Sequence, residues 1–160
     1  MKQSVFTVSM LLLLLSSGHA QSGASSKLPS HIYGEWKINK FVEVGGHSGA
    51  SRDDAEKQIG KRLKIERQSF TYDDGFLWFE SSPCTGVQYE IEAQESKERE
   101  VRRKGSLAFY GLEAAQDNRS QFVIVTCGKR RLYYFELAKE KELAVYYDGW
   151  FFFLKKTTST

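Results

Sequence analysis

The chain has 160 residues, of which 41% are hydrophobic and 14% aromatic, and its formal net charge is +3. This length suits one domain with a single core, and so small a charge argues against a nucleic-acid-binding protein. The mature chain would keep two histidines, His31 in a polar leader and His47 in a glycine-rich loop, and neither lies at metal-ligand spacing from a cysteine. They offer little material for a metal centre or a histidine-based triad. We therefore expect no enzyme activity and no catalytic, cofactor or metal site.

The first twenty residues have the parts of a secretory signal peptide. Lys2 supplies the positive charge, an apolar run extends to Leu15, and Gly18-His19-Ala20 provides the small residues that a signal peptidase requires. The apolar run is shorter than the roughly 20 residues that cross a bilayer. We predict a signal peptide over residues 1–20, a secreted or periplasmic protein of bacterial type, and no stable membrane insertion after cleavage.

The mature chain begins with a leader and a strand. Residues 21–31 are small and polar, which is typical of a flexible leader. From Trp36 to Val44 the even positions are apolar except for Lys40, which predicts a half-buried first strand.

A short helix is expected over residues 51–60, after a glycine-rich loop. Ser51 is suited to cap its first turn and Gly60 to end it. Ala55 and Ile59 are four residues apart, so they would form its buried stripe.

The rest of the chain is strand-like, with turn residues at regular intervals. Asp73-Asp74-Gly75 is typical of a hairpin turn, because the glycine tolerates a positive φ. The predicted strands contain Leu63–Ile65, Ser69–Tyr72, Phe76–Phe79, Val87–Ile91, Leu107–Phe109, Phe122–Cys127, Leu132–Leu137, Leu143–Tyr147 and Trp150–Lys155.

This succession predicts an all-β protein, an antiparallel up-and-down barrel of about eight strands with one short helix after the first strand. The single domain would span residues 32–156, followed by a frayed tail over 157–160. A sandwich of two sheets is the alternative. Closure into a barrel would remove the edges that such aromatic strands otherwise expose.

Cys84 and Cys127 are the two cysteines of the chain, and both belong to the mature part. An even pair in an oxidising compartment usually forms a disulfide, so we predict a Cys84–Cys127 bond.

Two segments carry a family resemblance. Gly34-Glu35-Trp36 resembles the Gly-x-Trp signature of lipocalin-like (calycin) barrels, and the last strand from Trp150 resembles the closing strand of bacterial lipocalin-like proteins. The resemblance implies a lipocalin-like barrel in which Trp36 plugs one end beneath a ligand cavity. It also implies that a basic residue after the last strand, Lys155 or Lys156, caps that tryptophan.

A lipocalin-like barrel would hold a small apolar or amphipathic ligand. We expect Tyr89, Phe109 and Tyr147 to line such a pocket together with Trp36. An eight-stranded barrel is just wide enough either to hold one small ligand or to be filled by side chains, so the sequence leaves both outcomes open.

In the alternative, the barrel is solid and binds an acidic protein partner through its loops, as an inhibitor or a toxin-immunity protein would. Two basic runs would form a cationic rim if their loops meet. They are Arg102, Arg103 and Lys104, and Lys129, Arg130 and Arg131. The sequence does not indicate the oligomeric state.

Overall fold

The computed structural model describes residues 28–45, 49–78, 84–95, 106–112, 119–138 and 141–157. The predicted signal peptide over residues 1–20 lies outside these ranges. Within them, no helix is long and apolar enough to cross a membrane.

The described part of the chain forms one antiparallel sheet of nine strands with a single α-helix, α1 (Arg52–Glu56), after the first strand. One 3-10 turn over Ser30–Ile32 precedes the sheet. The strands are β1 (Gly34–Glu43), β2 (Arg62–Ile65), β3 (Ser69–Tyr72), β4 (Cys84–Thr85), β5 (Val87–Glu95), β6 (Arg119–Cys127), β7 (Arg130–Leu137), β8 (Leu143–Tyr147) and β9 (Trp150–Lys156).

The sheet closes into a nearly complete barrel of eight strands. Its order is β4-β3-β2-β1-β9-β8-β7-β6-β5, so β4 and β5 stand at its two edges. In the chain these two strands are separated by Gly86 alone, whose φ of 74° bends the backbone. β4 and β5 are therefore halves of one kinked strand, so the barrel has eight strands. Because this number is even and neighbouring strands are antiparallel, β9 can pair antiparallel with β1. The predicted up-and-down barrel is confirmed, and one continuous sheet replaces the alternative of two.

A β-bulge at Asn39 interrupts β1. The ladder with β9 pairs Ile38 with Leu154 and Lys40 with Phe153, so Asn39 is an extra residue that has no register partner on β9. Because side chains alternate along a strand, one inserted residue exchanges the two faces of everything that follows.

The bulge corrects the predicted alternation in β1. Trp36 and Ile38, which precede it, are buried in the barrel interior, and Phe41 joins the same cluster after it. Val42 and Val44 instead pack into a second cluster on the outer face. Their expected alignment with Trp36 is therefore wrong.

The outer cluster explains why β9 is apolar on both faces. Phe151 and Phe153 pack outside the barrel with Leu107 and Ala144, whereas Phe152 belongs to the interior. Residues 106–112 form turns rather than the strand predicted at Leu107–Phe109. They lie over the outer face, so this part of the sheet is covered on both sides.

Helix α1 begins with the predicted cap. The Ser51 hydroxyl accepts a hydrogen bond from the Asp54 N–H at 3.2 Å, and the Asp54 carboxylate accepts one from the Ser51 N–H at 3.3 Å. Ala55 is buried as expected, but Ile59 is 43% exposed. Gln58 is buried instead, because its side chain accepts the Leu77 N–H at 2.8 Å.

Both termini of the described domain are fastened at the lower end, where β1 begins and β9 ends. Leu28 is buried ahead of the predicted start at Ile32, so the last residues of the expected leader pack against the barrel. Thr157 donates its N–H to the carbonyl of Glu35 at 2.9 Å. The remaining tail residues, 158–160, lie outside the described ranges.

Candidate functional site

The disulfide lies where the barrel closes. Cys84 on β4 is bonded to Cys127 at the end of β6, with their Cα atoms 5.9 Å apart. The ladder between β3 and β4 has only two register pairs, Ser69 with Thr85 and Phe70 with Cys84. The predicted bond is confirmed, and it fastens the short half of the kinked strand to β6.

Trp36 is buried inside the barrel near its lower end. Its side chain is 1% exposed, and its indole N–H donates to the carbonyl of Ile32 at 2.9 Å. This bond joins β1 to the 3-10 turn that covers the lower end. A plug at one end of the barrel is the role that the lipocalin resemblance implies for this residue, and it stays a prediction.

Of the two candidate lysines, Lys156 stands opposite Trp36 in the ladder, and Lys155 stands opposite Lys37. The Lys156 ammonium donates to the carbonyl of His31 at 3.1 Å. Lys155 lies on the outer face and contacts Glu142 at 3.4 Å. The structure thus places Lys156, rather than Lys155, beside Trp36.

The predicted pocket residues do not come together. Tyr89 is buried, and its hydroxyl donates to the carbonyl of Ser69 at 2.9 Å. Tyr147 lies half-buried at the opposite, upper end of the barrel. Phe109 belongs to the outer segment 106–112, where its ring contacts Tyr110 at a centroid distance of 4.9 Å.

A cluster of five aromatic rings spans the barrel interior. Phe70 on β3 and Phe135 on β7 lie 6.2 Å apart between centroids, although their strands are not neighbours in the sheet. Both side chains are fully buried. Burial raises the pKa of the Tyr133 hydroxyl. The cluster consists of Phe70, Tyr72, Phe76, Tyr133 and Phe135.

The upper end of the barrel is where the β6–β7 and β8–β9 turns lie, because alternate turns of an antiparallel meander share one end. Helix α1 is fastened there by two hydrogen bonds to the segment before it. The Ala50 N–H donates to the Asp148 carboxylate at 2.8 Å, and the Trp150 indole donates to the Ala50 carbonyl at 3.3 Å.

Leu77 and Trp78 adopt a rare backbone at this end. Their φ angles are 46° and 64°, in the left-handed region that non-glycine residues seldom occupy. Hydrogen bonds hold the turn, since the Phe76 N–H donates to Asp73 O and the Trp78 N–H to Gly75 O, both at 3.0 Å. The strand predicted from Phe76 is therefore wrong over the described residues 76–78.

This turn buries Leu77 completely and leaves Trp78 37% exposed. The indole stacks on Tyr147, with centroids 5.2 Å apart and planes 24° apart. We refer to these two rings as the upper aromatic stack. Sequence reasoning did not single out Trp78, because a Trp inside an apolar run gives no sign that it points outward.

The predicted cationic rim is described only in part. Lys129 is exposed in the β6–β7 turn, at the same end as the upper aromatic stack. Arg130 and Arg131 begin β7, so their backbone lies beside Lys129. Arg102, Arg103 and Lys104 lie outside the described residues.

Helix α1 adds ion pairs to this end. The Lys57 ammonium lies 2.8 Å from the Asp54 carboxylate, and Arg52 lies 3.5 Å from Glu56. Hydrogen bonds from Lys57 and Ser51 lower the pKa of Asp54 to about 2. Both basic residues are therefore paired with acidic ones, while Asp53 leaves the helix and its cap with one net negative charge.

Metal-binding clusters are not found in the described ranges, where no three His, Cys, Asp or Glu side chains come together. Comparison with known protein families, with curated proteins and with solved structures gave no match.

Proposed function

We propose that this chain is an exported, non-catalytic binding protein whose partner is another protein, bound at the upper end of the barrel. The contact between Phe70 and Phe135 across the interior carries the proposal. A barrel that holds an apolar ligand needs open volume at this depth, whereas fully buried rings here serve as core. The partner would therefore bind to the surface of the barrel rather than in its interior.

Trp78 is the proposed anchor of that surface. Large aromatic side chains dominate the energy of protein interfaces, since they bury much area and lose little conformational freedom. Trp78 is 37% exposed, and the stack on Tyr147 holds its ring in place. The left-handed turn before it supports the same view, because strained backbone concentrates at functional positions.

Charge indicates the chemistry of the partner. Lys129 is exposed at the upper end, and it begins the run Lys129-Arg130-Arg131, which contains no acidic residue. We propose a partner that presents an apolar side chain for Trp78 beside an acidic patch. Such complementarity would accelerate association and make the affinity depend on salt.

We also propose that the protein is exported and that it has a lipocalin-like origin. Export is supported by the signal-like residues 1–20 and by the disulfide, since disulfides persist in oxidising compartments. A lipocalin-like origin is supported by Trp36 at the lower end and by Lys156 opposite it. An inhibitor or toxin-immunity role fits a small, disulfide-bonded barrel that works through its surface.

The test compares the mature protein, produced from the full chain, with three variants. Trp78→Ala and Lys129→Glu change the upper end, and Arg67→Glu places a matched charge reversal in the exposed β2–β3 turn at the lower end. Proteins captured from the exported proteome of the source cells are quantified for each form. The affinity of a purified candidate partner is then measured at two salt concentrations.

The expected partner is retained by Arg67→Glu, loses at least about tenfold in affinity with Trp78→Ala, and associates more slowly with Lys129→Glu. Equal capture by all forms would contradict the upper-end surface. A stoichiometric small molecule in the native mass spectrum of the purified protein would contradict the solid barrel and favour the ligand-binding alternative.

A further inference from the structure

Residues 106–112 form a strap across the outer face of the barrel. Leu107 is fully buried in the outer cluster, and the Tyr110 ring stacks on Tyr146 with centroids 5.4 Å apart. The Leu112 N–H donates to the Leu107 carbonyl at 2.8 Å, which closes the strap on itself. Apolar contacts therefore hold the strap against β8 and β9.

One polar bond joins the strap to the barrel wall. Glu136 on β7 is 2% exposed, and its carboxyl oxygen accepts the Leu107 N–H at 2.6 Å. In the ladders Glu136 stands opposite Phe122 on β6 and Ala144 on β8. An acidic side chain thus lies between apolar neighbours under the strap, where its charged form lacks the solvation of water.

Among the described residues, the polar groups that contact this carboxyl carry no positive charge. Burial raises the pKa of Glu136, although hydrogen bonds from Ser120 and from the Leu107 N–H act in the opposite direction. Tyr110 is neutral at physiological pH, since burial and its hydrogen bond with Tyr146 raise its pKa to about 12.

Another described acid–base cluster on the outer face is already compensated. Glu142 precedes β8 and lies 3.0 Å from the Lys40 ammonium and 3.4 Å from that of Lys155. Both lysines are therefore engaged with Glu142.

We propose that Glu136 is a pH-sensitive latch, which holds the strap 106–112 on the barrel in its neutral form and releases it when the carboxyl ionises. Release would return the carboxylate to water and would uncover the outer apolar face that includes Phe151 and Phe153. The barrel interior is separate from this face and would stay closed.

The direction follows from linkage between proton binding and docking. The pKa of Glu136 is raised while the strap is docked and returns towards its ordinary value when water reaches the carboxyl. Docking is therefore favoured below the ordinary value of 4.5 and weakens as pH rises through the raised one. For a single proton, the docking constant falls at most about tenfold per pH unit in that window.

Hydrogen exchange on the mature protein tests the latch. Protection factors, corrected for the intrinsic pH dependence of exchange, are measured for the Leu107 and Leu112 amides from about pH 5 to about pH 8. Glu136→Gln keeps an oxygen that can accept the Leu107 N–H and cannot ionise. Glu90→Gln, at an exposed position on β5, is the matched control. The Ile124 amide on β6 reports on the barrel itself.

Strap protection should fall with rising pH in the wild type and in Glu90→Gln, and stay constant in Glu136→Gln, while protection of Ile124 stays constant in all three. The latch would be overturned by pH-independent protection in the wild type or by the same pH dependence in Glu136→Gln. A Glu136→Gln strap that is unprotected at every pH would also overturn it, because the neutral side chain would then fail to hold the strap.

Discussion

The side chain of Lys156 occupies the space above Gly34. A Cβ atom at Gly34 would lie 2.6 Å from Lys156 Cε, closer than real contacts allow, and the φ of Gly34 is +136°. Lys156 reaches across this position to the carbonyl of His31. This explains physically why the Gly34-Glu35-Trp36 segment begins with glycine. The missing side chain lets Lys156, which is opposite Trp36, cross the start of β1.

Gly34→Ala should destabilise the fold by about 1–3 kcal/mol, because it combines a strained φ with displacement of Lys156. Urea unfolding of Gly34→Ala, Lys156→Ala and the double variant separates the two causes. The alanine should cost less in the Lys156→Ala background. Equal losses in both backgrounds would mean that the lysine moves aside freely and that the backbone alone requires glycine.

The closing disulfide should contribute about 4 kcal/mol, the value that the chain-entropy argument gives for the 43-residue separation of Cys84 and Cys127. The comparison is urea unfolding of the oxidised protein and of the Cys84→Ala/Cys127→Ala variant. Reductant should lower the stability of the wild type and leave the variant unchanged. If reductant left the free energy of unfolding of the wild type unchanged, β4 would stay in place without the bond.

Most strands of this protein and their up-and-down order could be predicted from the sequence, because turn residues and period-two alternation are local signals. The exceptions are the segments at 76–78 and 107–109, whose apolar residues lie in turns. It is harder to predict which side chains face the barrel interior where both faces of the sheet are covered. Phe151 and Phe152 are both fully buried, one in each cluster, so hydrophobicity alone does not tell which faces the interior. The bulge at Asn39 is similarly hidden, because a polar residue on a strand is the ordinary mark of an exposed face.

The candidate site was the least predictable part. Trp78 lies in a turn where it and Leu77 take left-handed φ values, and the buried Gln58 accepts the Leu77 N–H in that turn. This hydrogen bond joins residues 19 positions apart. Neither local propensity nor spacing contains that information. The disulfide, in contrast, was predictable, since two cysteines allow only one pairing.

The capping box of α1 should persist in acid. Hydrogen bonds from Lys57 and then Ser51 lower the pKa of Asp54 to about 2, below its ordinary 3.8. Its stabilisation is therefore present above the ordinary value and is lost as pH falls through about 2. Carboxyl NMR titration should show a larger upward shift in the pKa of Asp54 for Lys57→Gln than for Ser51→Ala. A larger effect of Ser51→Ala would reverse the assigned order of causes.

Phe135→Ala should open a cavity in the ring cluster that spans the barrel. Removing this fully buried ring should cost about 3–5 kcal/mol, through lost apolar transfer energy and the void left behind. An apolar cavity of this kind takes up small aromatic molecules, so benzene should raise the melting temperature of the variant and leave that of the wild type unchanged. Phe109→Ala, which removes a ring outside the barrel, is the matched control and should show no response to benzene. A comparable rise in the melting temperature of the wild type would reveal open volume inside the native barrel. It would favour the small-ligand alternative over the protein-binding proposal.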